Sequence, residues 1–219
     1  TDKSKLKFVT LEDVLYLNYH NDVACMIDPI MINLWEEQSS WNPNMPIRFF
    51  LYIAGEWSDI LYATNQDPTH SKLVTVPWPN CIVLYNGSAR QKAVRKLSLR
   101  DNLPKERPAK VTDVNLEVLV YNINTKVGHE LLSKCRPLYE YSWMISKVQK
   151  YTKRHKGEMT KVKLTNAIKR MIDKIPDDFV LAPLMCQKQE EVIKMLLTEF
   201  NAKRHDQIVF EDGETQGIA

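Results

Sequence analysis

The chain has 219 residues, of which 44% are hydrophobic and 26% are charged. This balance predicts one soluble domain, or one domain with a smaller appendage, long enough to bury a sizeable core. The net charge is only +3, so overall charge does not demand a nucleic-acid partner. No signal peptide precedes the fold and no apolar run is long enough to span a bilayer, so we expect a cytoplasmic protein with no membrane partner.

The cysteines and histidines argue against several kinds of site. The four cysteines are far apart and form no CxxC pair, so zinc and thioredoxin-like sites lack support. The five histidines show no metal-ligand spacing. Neither a Walker loop nor a GxSxG elbow is present. We expect buried, reduced thiols.

The N-terminal third predicts three strands and a helix. Apolar, β-branched runs separated by the turn residues Asp28-Pro29 predict a hairpin. The segment Asn42-Pro43-Asn44-Met45-Pro46 is typical of a helix start, with Asn44 as the cap. The predicted elements are strands near Leu6–Leu11, Asn21–Ile27 and Met31–Gln38, and a helix near Met45–Tyr62. Helical spacing places six residues on the apolar face of that helix: Phe50, Ile53, Ala54, Trp57, Ile60 and Leu61.

The rest of the chain predicts two or three more strands and then helices. The first elements predicted here are a strand start at Lys72–Val76 and strands at Cys81–Tyr85 and Asn115–Asn124. Between the last two strands lie a basic connector over 90–100 and a loop over 101–113. From Cys135 the apolar spacing becomes helical, and a charged hinge at 153–161 and a break at Pro176 separate three helices, the last over Glu190–Phe200. This order predicts an α/β fold with a mixed sheet flanked by helices and a C-terminal helical region.

Two carboxylates stand at the open end of the predicted hairpin. Asp22 starts one strand and Glu36 ends the next, with Gln38 on the same face as Glu36 because side chains alternate along a strand. The strand register, which the sequence leaves open, decides whether Asp22 faces Glu36 or Glu37. Converging carboxylates repel each other, and a hard cation such as Mg²⁺ relieves that repulsion. Spacing alone favours the plainer interpretation, a solvated acidic strand end.

The sequence around this hairpin resembles a known family. NDVACMI followed by WEEQSSWNPNMPIRFFLYIA is similar to the recombination-promoting nuclease (Rpn-like, YhgA-like) branch of the PD-(D/E)XK superfamily, whose members are also described as transposases. The resemblance continues through KLVTVPWPNCIVLYNG, LEVLVYNIN, KCRPLYEYS and VIKMLLTEF, and it covers nearly the whole chain. The segment EEQSSWNPNMPIR is its most specific part.

The resemblance implies a restriction-endonuclease-like core over residues 1–153 and a C-terminal helical region over 154–219. It implies a Mg²⁺-dependent DNA endonuclease, with Mn²⁺ as an alternative metal, linked to recombination or mobile elements in bacteria. Asp22 and Glu36 match the motif's two acids, and Gln38 stands where the superfamily usually has lysine. The implied catalytic residues are Asp22, Glu36 and Gln38, and the carbonyl of Glu37 completes a metal set with Asp22 and Glu36.

Two basic clusters are candidates for DNA contact. One cluster lies in the connector. The other lies between Lys147 and Lys163, where Glu158 is the only acidic residue, so its basic residues outnumber the acidic ones. The usual alternative is a solvated helix face, and the family resemblance favours DNA for the second cluster. The DNA-binding candidates are Arg90, Lys92, Arg95, Lys96, Lys147, Lys150, Lys153 and Arg154.

Two further interpretations stay open. The family places a helical segment before the first strand, whereas this chain starts at that strand with Thr1, so we expect that an N-terminal piece is missing. Together with Gln38, this favours the alternative of a catalytically inactive nuclease-like module that binds DNA or protein. The third interpretation is a homodimer in which Val192, Leu196 and Phe200 face a partner.

Overall fold

The computed structural model describes residues 6–9, 23–27, 30–153, 160–197 and 200. Two compact units divide the chain. Unit 1 comprises Thr1–Leu84 and Val94–Tyr121, and unit 2 comprises Tyr85–Ala93 and Asn122–Ala219. The sequence-based division between residues 153 and 154 stays a prediction.

A six-stranded sheet is the main element of the fold. Its order is β1-β2-β3-β4-β6-β5. Strands β1 with β2, β2 with β3, and β5 with β6 are antiparallel pairs. The strand bounds are β1 Leu6–Val9, β2 Val23–Ile27, β3 Met31–Gln38, β4 Trp78–Tyr85, β5 Val94–Ser98 and β6 Glu117–Asn122.

Two hydrogen bonds give the direction of the central strands. The amide of Trp78 donates to the carbonyl of Ile30 at 2.8 Å, which joins the starts of β4 and β3. The amide of Ile123 donates to the carbonyl of Tyr85 at 2.8 Å, which joins the ends of β6 and β4. Strand β4 therefore runs parallel to both neighbours, and the sheet is mixed. The α/β class with a mixed sheet is confirmed.

Helix α1 (Met45–Ala63) follows β3 and begins as predicted, with a proline in its first turn. Asn44 is the N-cap residue, but its side chain caps no helix amide and instead accepts a hydrogen bond from Asn102 at 3.1 Å. The predicted apolar face is rotated from the real one. The helix buries Met45, Pro46, Phe49, Tyr52, Ile53 and Glu56, whereas Phe50 is 45% exposed.

The segment interpreted as a basic connector over 90–100 contains regular structure that was not predicted. Residues Val94–Ser98 form strand β5, and a 3₁₀ helix follows over Leu99–Asn102. The sequence signal for this strand is weak because Leu97 is the one buried side chain of the five in β5. The expected strand start at Lys72–Val76 is also absent, since β4 begins at Trp78.

Unit 2 holds the helices that follow β6 and has a buried core cluster of its own. Helices α2 (His129–Lys134), α3 (Arg136–Lys153), α4 (Lys161–Ile172) and α5 (Ala182–Gln187) are followed by helical residues 189–197 and 200. Val192 and Leu196 belong to its buried cluster, and Phe200 packs against that cluster. These three side chains therefore serve the core of one chain, and the interpretation that placed them at a dimer surface is wrong.

Glu140 on α3 joins that helix to the turn before α5. Its side chain is fully buried and accepts hydrogen bonds from Arg136 Nε and from the amides of Val180 and Leu181, each at 2.9 Å. Burial raises the pKa of Glu140, but the two amides and Arg136 outweigh burial and lower it below its ordinary value. This carboxylate is satisfied and structural.

The cysteines follow the expectation only in part. Cys81 is buried, and burial raises the pKa of its thiol to about 12. Cys135 is half-buried and Cys186 is exposed, so the expectation of buried thiols is wrong for Cys186. In the part of the chain that the structure describes, no helix is long and apolar enough to cross a membrane.

Candidate active site

Glu36 is a buried carboxylate near the end of β3. Alternation along the strand puts it on the same face as Ile32 and Leu34, which are both fully buried. Only 2% of Glu36 is exposed, although the strand end was expected to be solvated on the plainer interpretation. Acidic side chains are rarely buried to this extent unless they are paired, so its neighbours decide what it can do.

Gln38 and Arg48 both donate hydrogen bonds to the Glu36 carboxylate. Gln38 Nε2 donates to Oε2 at 3.3 Å, so Gln38 lies on the face predicted from strand alternation. Arg48, from the first turn of α1, places one guanidinium nitrogen 3.3 Å from Oε1 and 3.4 Å from Oε2. Because the guanidinium bridges both oxygens, the negative charge of Glu36 is balanced inside the protein.

Tyr52 lies one helical turn beyond Arg48 and fixes its guanidinium. The phenol oxygen accepts from Arg48 Nε at 3.2 Å and from a terminal nitrogen at 2.8 Å. Burial raises the pKa of Tyr52 well above its ordinary value, and the charge of Glu36 and a hydrogen bond to it raise it further. Tyr52 therefore stays a neutral phenol and links Arg48 and Glu36 into one network.

Glu56 continues the same face of α1. Arg48, Tyr52 and Glu56 are each four residues apart, which places them along one side of a helix. Glu56 is fully buried, and neither of its carboxylate oxygens has a hydrogen-bond partner among the described residues. Burial, with a smaller contribution from the charge of Asp59, raises the pKa of Glu56 to about 7. With this pKa, Glu56 is protonated in a substantial fraction of molecules at neutral pH.

The other two predicted acids have different outcomes. Glu37 alternates to the opposite side of β3 from Glu36 and is half-buried. Asp22 lies outside the described residues, so its predicted role stays a prediction. In the described ladder Val23 pairs with Trp35. Asp22 comes just before Val23 in the sequence, and Glu36 comes just after Trp35.

The donors at Glu36 match the chemistry of a hard divalent cation. The Glu36 carboxylate and the carboxamide oxygen of Gln38 are oxygen ligands of the kind that Mg²⁺ prefers. The carboxylate also already faces a cationic group, Arg48, across both oxygens. Within the described ranges, no cluster of three or more acidic, histidine or cysteine side chains could hold a metal.

Comparison with known proteins does not assign the chain to a family. It matches no family model, no curated protein and no solved structure. The geometry around Glu36 is therefore the basis for any functional argument.

The predicted DNA-binding residues of unit 1 are both exposed and both engaged. Arg95 stacks over the ring of Trp41, with 4.6 Å from the guanidinium carbon to the ring centroid. Lys96 Nζ pairs with Glu117 at 3.0 Å. Trp41 follows the acidic strand end, and the Arg95 guanidinium lies over its ring, so a nucleic-acid base could stack on that face of the ring only if Arg95 moved.

The remaining DNA-binding candidates belong to unit 2. Arg90, Lys92, Lys150 and Lys153 are exposed, as phosphate contact requires, and Arg154 lies outside the described residues. Lys147 is half-buried, with its ammonium 4.7 Å from the ring centroid of Trp143. Lysine stems pack along aromatic surface while the charge stays near water, so Lys147 is held in place by its own helix.

Sequence analysis missed Arg48, Tyr52 and Glu56. Their spacing of four residues was visible, but the helix was interpreted by its apolar periodicity alone. A polar stripe at that spacing directly after an acidic strand end was the available signal. Such a stripe indicates a polar helix face from which a side chain such as Arg48 can pair with the charged strand end.

Proposed function

We propose that the chain is a metal-dependent DNA endonuclease that hydrolyses phosphodiester bonds and acts in DNA recombination or in mobile elements. The observation that carries the proposal is Glu36: a carboxylate with 2% exposure, near the end of a β-hairpin strand, bonded to Gln38 on the same face. The resemblance to the recombination-promoting nucleases implies an acid and an amide at these two positions. The mixed sheet supports the restriction-endonuclease-like core that the same resemblance implies.

Each residue has a distinct part in this proposal. Glu36 and Asp22 would hold a divalent cation, Mg²⁺ or Mn²⁺, together with the carbonyl of Glu37. When bound, the cation polarises the phosphodiester and lowers the pKa of water. Gln38 orients the attacking water or a phosphate oxygen through hydrogen bonds, because a carboxamide both donates and accepts. It brings no positive charge, so the developing negative charge must be met by the cation and by basic side chains.

Each unit carries basic side chains that we expect to contact DNA phosphates. Arg90, Lys92, Lys150 and Lys153 are exposed, so each can contact phosphate, and none of them is paired with another residue that the structure describes. Lys96 must exchange Glu117 for phosphate, and an exposed pair of this kind costs little to break. Binding through phosphates predicts an affinity that falls steeply with salt.

Cleavage of supercoiled plasmid tests the proposal. We expect nicking in Mg²⁺ or Mn²⁺ that is lost in chelator. Glu36→Gln keeps the shape of the side chain but removes its charge and one of its two acceptor oxygens, and we expect it to lower the rate about 100-fold or more. Asp22→Asn should do the same. Glu106→Gln, which changes an exposed acid of unit 1, is the matched control and should cleave normally.

The outcomes separate the proposal from its alternative, a nuclease-like module that binds DNA without cutting it. That alternative is favoured by one observation: Arg48 already balances both oxygens of Glu36, so this site is stable without a metal. Salt-dependent DNA binding with no cleavage in either metal would support the binding module. Equal cleavage by wild type and Glu36→Gln would refute the assigned site.

A further inference from the structure

Arg48, which Tyr52 holds in place, occupies the two carboxylate oxygens of Glu36 that a metal ion at this site would need. Arg48 lies within 3.3 and 3.4 Å of the two carboxylate oxygens, and Tyr52 orients the guanidinium by accepting from two of its nitrogens. Like charges at one carboxylate repel each other, and the repulsion is strong where burial limits water. A divalent cation at Glu36 must therefore displace Arg48 or bind against its charge.

We infer that Arg48 is a positioning residue that stands in for the metal: it holds the Glu36 carboxylate in place in the metal-free protein and competes with the divalent cation for the same oxygens. This inference rests on the proposed function. Tyr52 sets the strength of the competition because its phenol keeps the guanidinium on the carboxylate. The burial of the Glu36 charge supports the inference, since a buried ion without a partner is costly.

The inference predicts opposite effects on stability and on metal binding when the charge of Arg48 is removed. Arg48→Met removes the guanidinium that balances the buried charge of Glu36, so the metal-free protein should melt at a lower temperature. The same variant should bind the cation more tightly, by about three- to tenfold, because one positive charge no longer opposes it. Arg48→Lys keeps the charge and should bind the cation as the wild type does.

Mn²⁺ alone is the probe, with free Mn²⁺ followed by electron paramagnetic resonance at a fixed pH of 8. Melting temperatures with and without Mn²⁺ give a second readout. Arg100→Met is the matched control, because Arg100 also pairs with a carboxylate of unit 1, Asp113, but on the surface. It should leave Mn²⁺ affinity unchanged. Tyr52→Phe keeps the charge of Arg48 but removes the phenol oxygen that orients its guanidinium. This variant should bind Mn²⁺ about two- to threefold more tightly than the wild type.

Each result has a defined meaning. Tighter Mn²⁺ binding by Arg48→Met, with a larger Mn²⁺-induced rise in melting temperature than the wild type, supports the inference. Equal or weaker binding by Arg48→Met, while Glu36→Gln abolishes binding, overturns the inference and leaves the proposed metal site intact. Equal Mn²⁺ binding by wild type and Glu36→Gln overturns both. If Arg48→Met does not fold, Tyr52→Phe decides: unchanged or weaker binding by that variant overturns the inference.

Discussion

Replacing Glu56 by glutamine should stabilise the protein at neutral and higher pH but much less in acid. Glu56 is fully buried on α1 without a described hydrogen-bond partner, and burial raises its pKa from 4.5 to about 7. Glutamine has nearly the same shape and carries no charge at any pH. The variant therefore removes the cost of ionising this group and leaves the packing of the helix in place.

The sign follows from proton binding. A raised pKa means that the folded protein holds a proton that the unfolded chain releases, so wild-type stability falls as the pH rises from about 4.5 through 7 and is level above that. The full shift corresponds to about 3 kcal/mol at 1.4 kcal/mol per pKa unit. After allowance for solvent screening, we expect Glu56→Gln to gain about 1.5 kcal/mol over wild type between pH 5 and pH 8.

Urea unfolding at pH 5, 6, 7 and 8 measures this difference. Four of the five tryptophans belong to unit 1, so intrinsic fluorescence follows the unit that contains Glu56. Glu106→Gln, which replaces an exposed acid of the same unit, is the control, and its free energy of unfolding should equal that of the wild type at each pH. A constant difference between Glu56→Gln and wild type across this range, or a loss of stability at pH 8, would refute the reasoning.

Two further predictions concern unit 2. Glu140→Gln should destabilise by about 2 kcal/mol at pH 7, because a buried ionic acceptor of three hydrogen bonds is lost; the lowered pKa means that the difference should shrink as the pH falls below about 4, and calorimetry at pH 7 and pH 3 checks it. Gly128→Ala should destabilise by about 1–3 kcal/mol, since a Cβ there would lie 2.2 Å from the carbonyl oxygen of Asn122. A melting temperature for Gly128→Ala equal to that of the wild type would contradict that contact.

The parts of the fold that the sequence predicted well are those in which one local signal dominates. Strand β3 was predicted over Met31–Gln38 and occupies those residues, because a mainly apolar run, interrupted by Asn33, ends in acidic and amide side chains. Helix α1 starts at Met45, since prolines and asparagines before it leave few other conformations. Strand β5 was missed because one buried side chain in five residues gives no recognisable alternation.

The candidate site was predicted less completely, for a physical reason. Glu36 and Gln38 are two residues apart on one strand, so alternation alone places them together. Arg48 and Tyr52 reach them from a different element, and their burial depends on the rotation of α1 about its axis. Apolar periodicity set that rotation wrongly, because the helix buries the polar residues Tyr52 and Glu56 in place of Phe50. Hydropathy does not show that a polar side chain such as Tyr52 will be buried because it hydrogen-bonds to another polar group.

The position of β5 in the sheet has a consequence for how its basic side chains are studied. It is the last strand in the order of the described sheet, so one row of its backbone groups has no neighbour in that order. Arg95 and Lys96 are exposed along this strand, and charged side chains on a border strand discourage pairing with another molecule. Neutralising them to weaken DNA binding would also remove that protection. Sedimentation of each variant is therefore needed before lost binding is attributed to phosphate contacts and not to self-association.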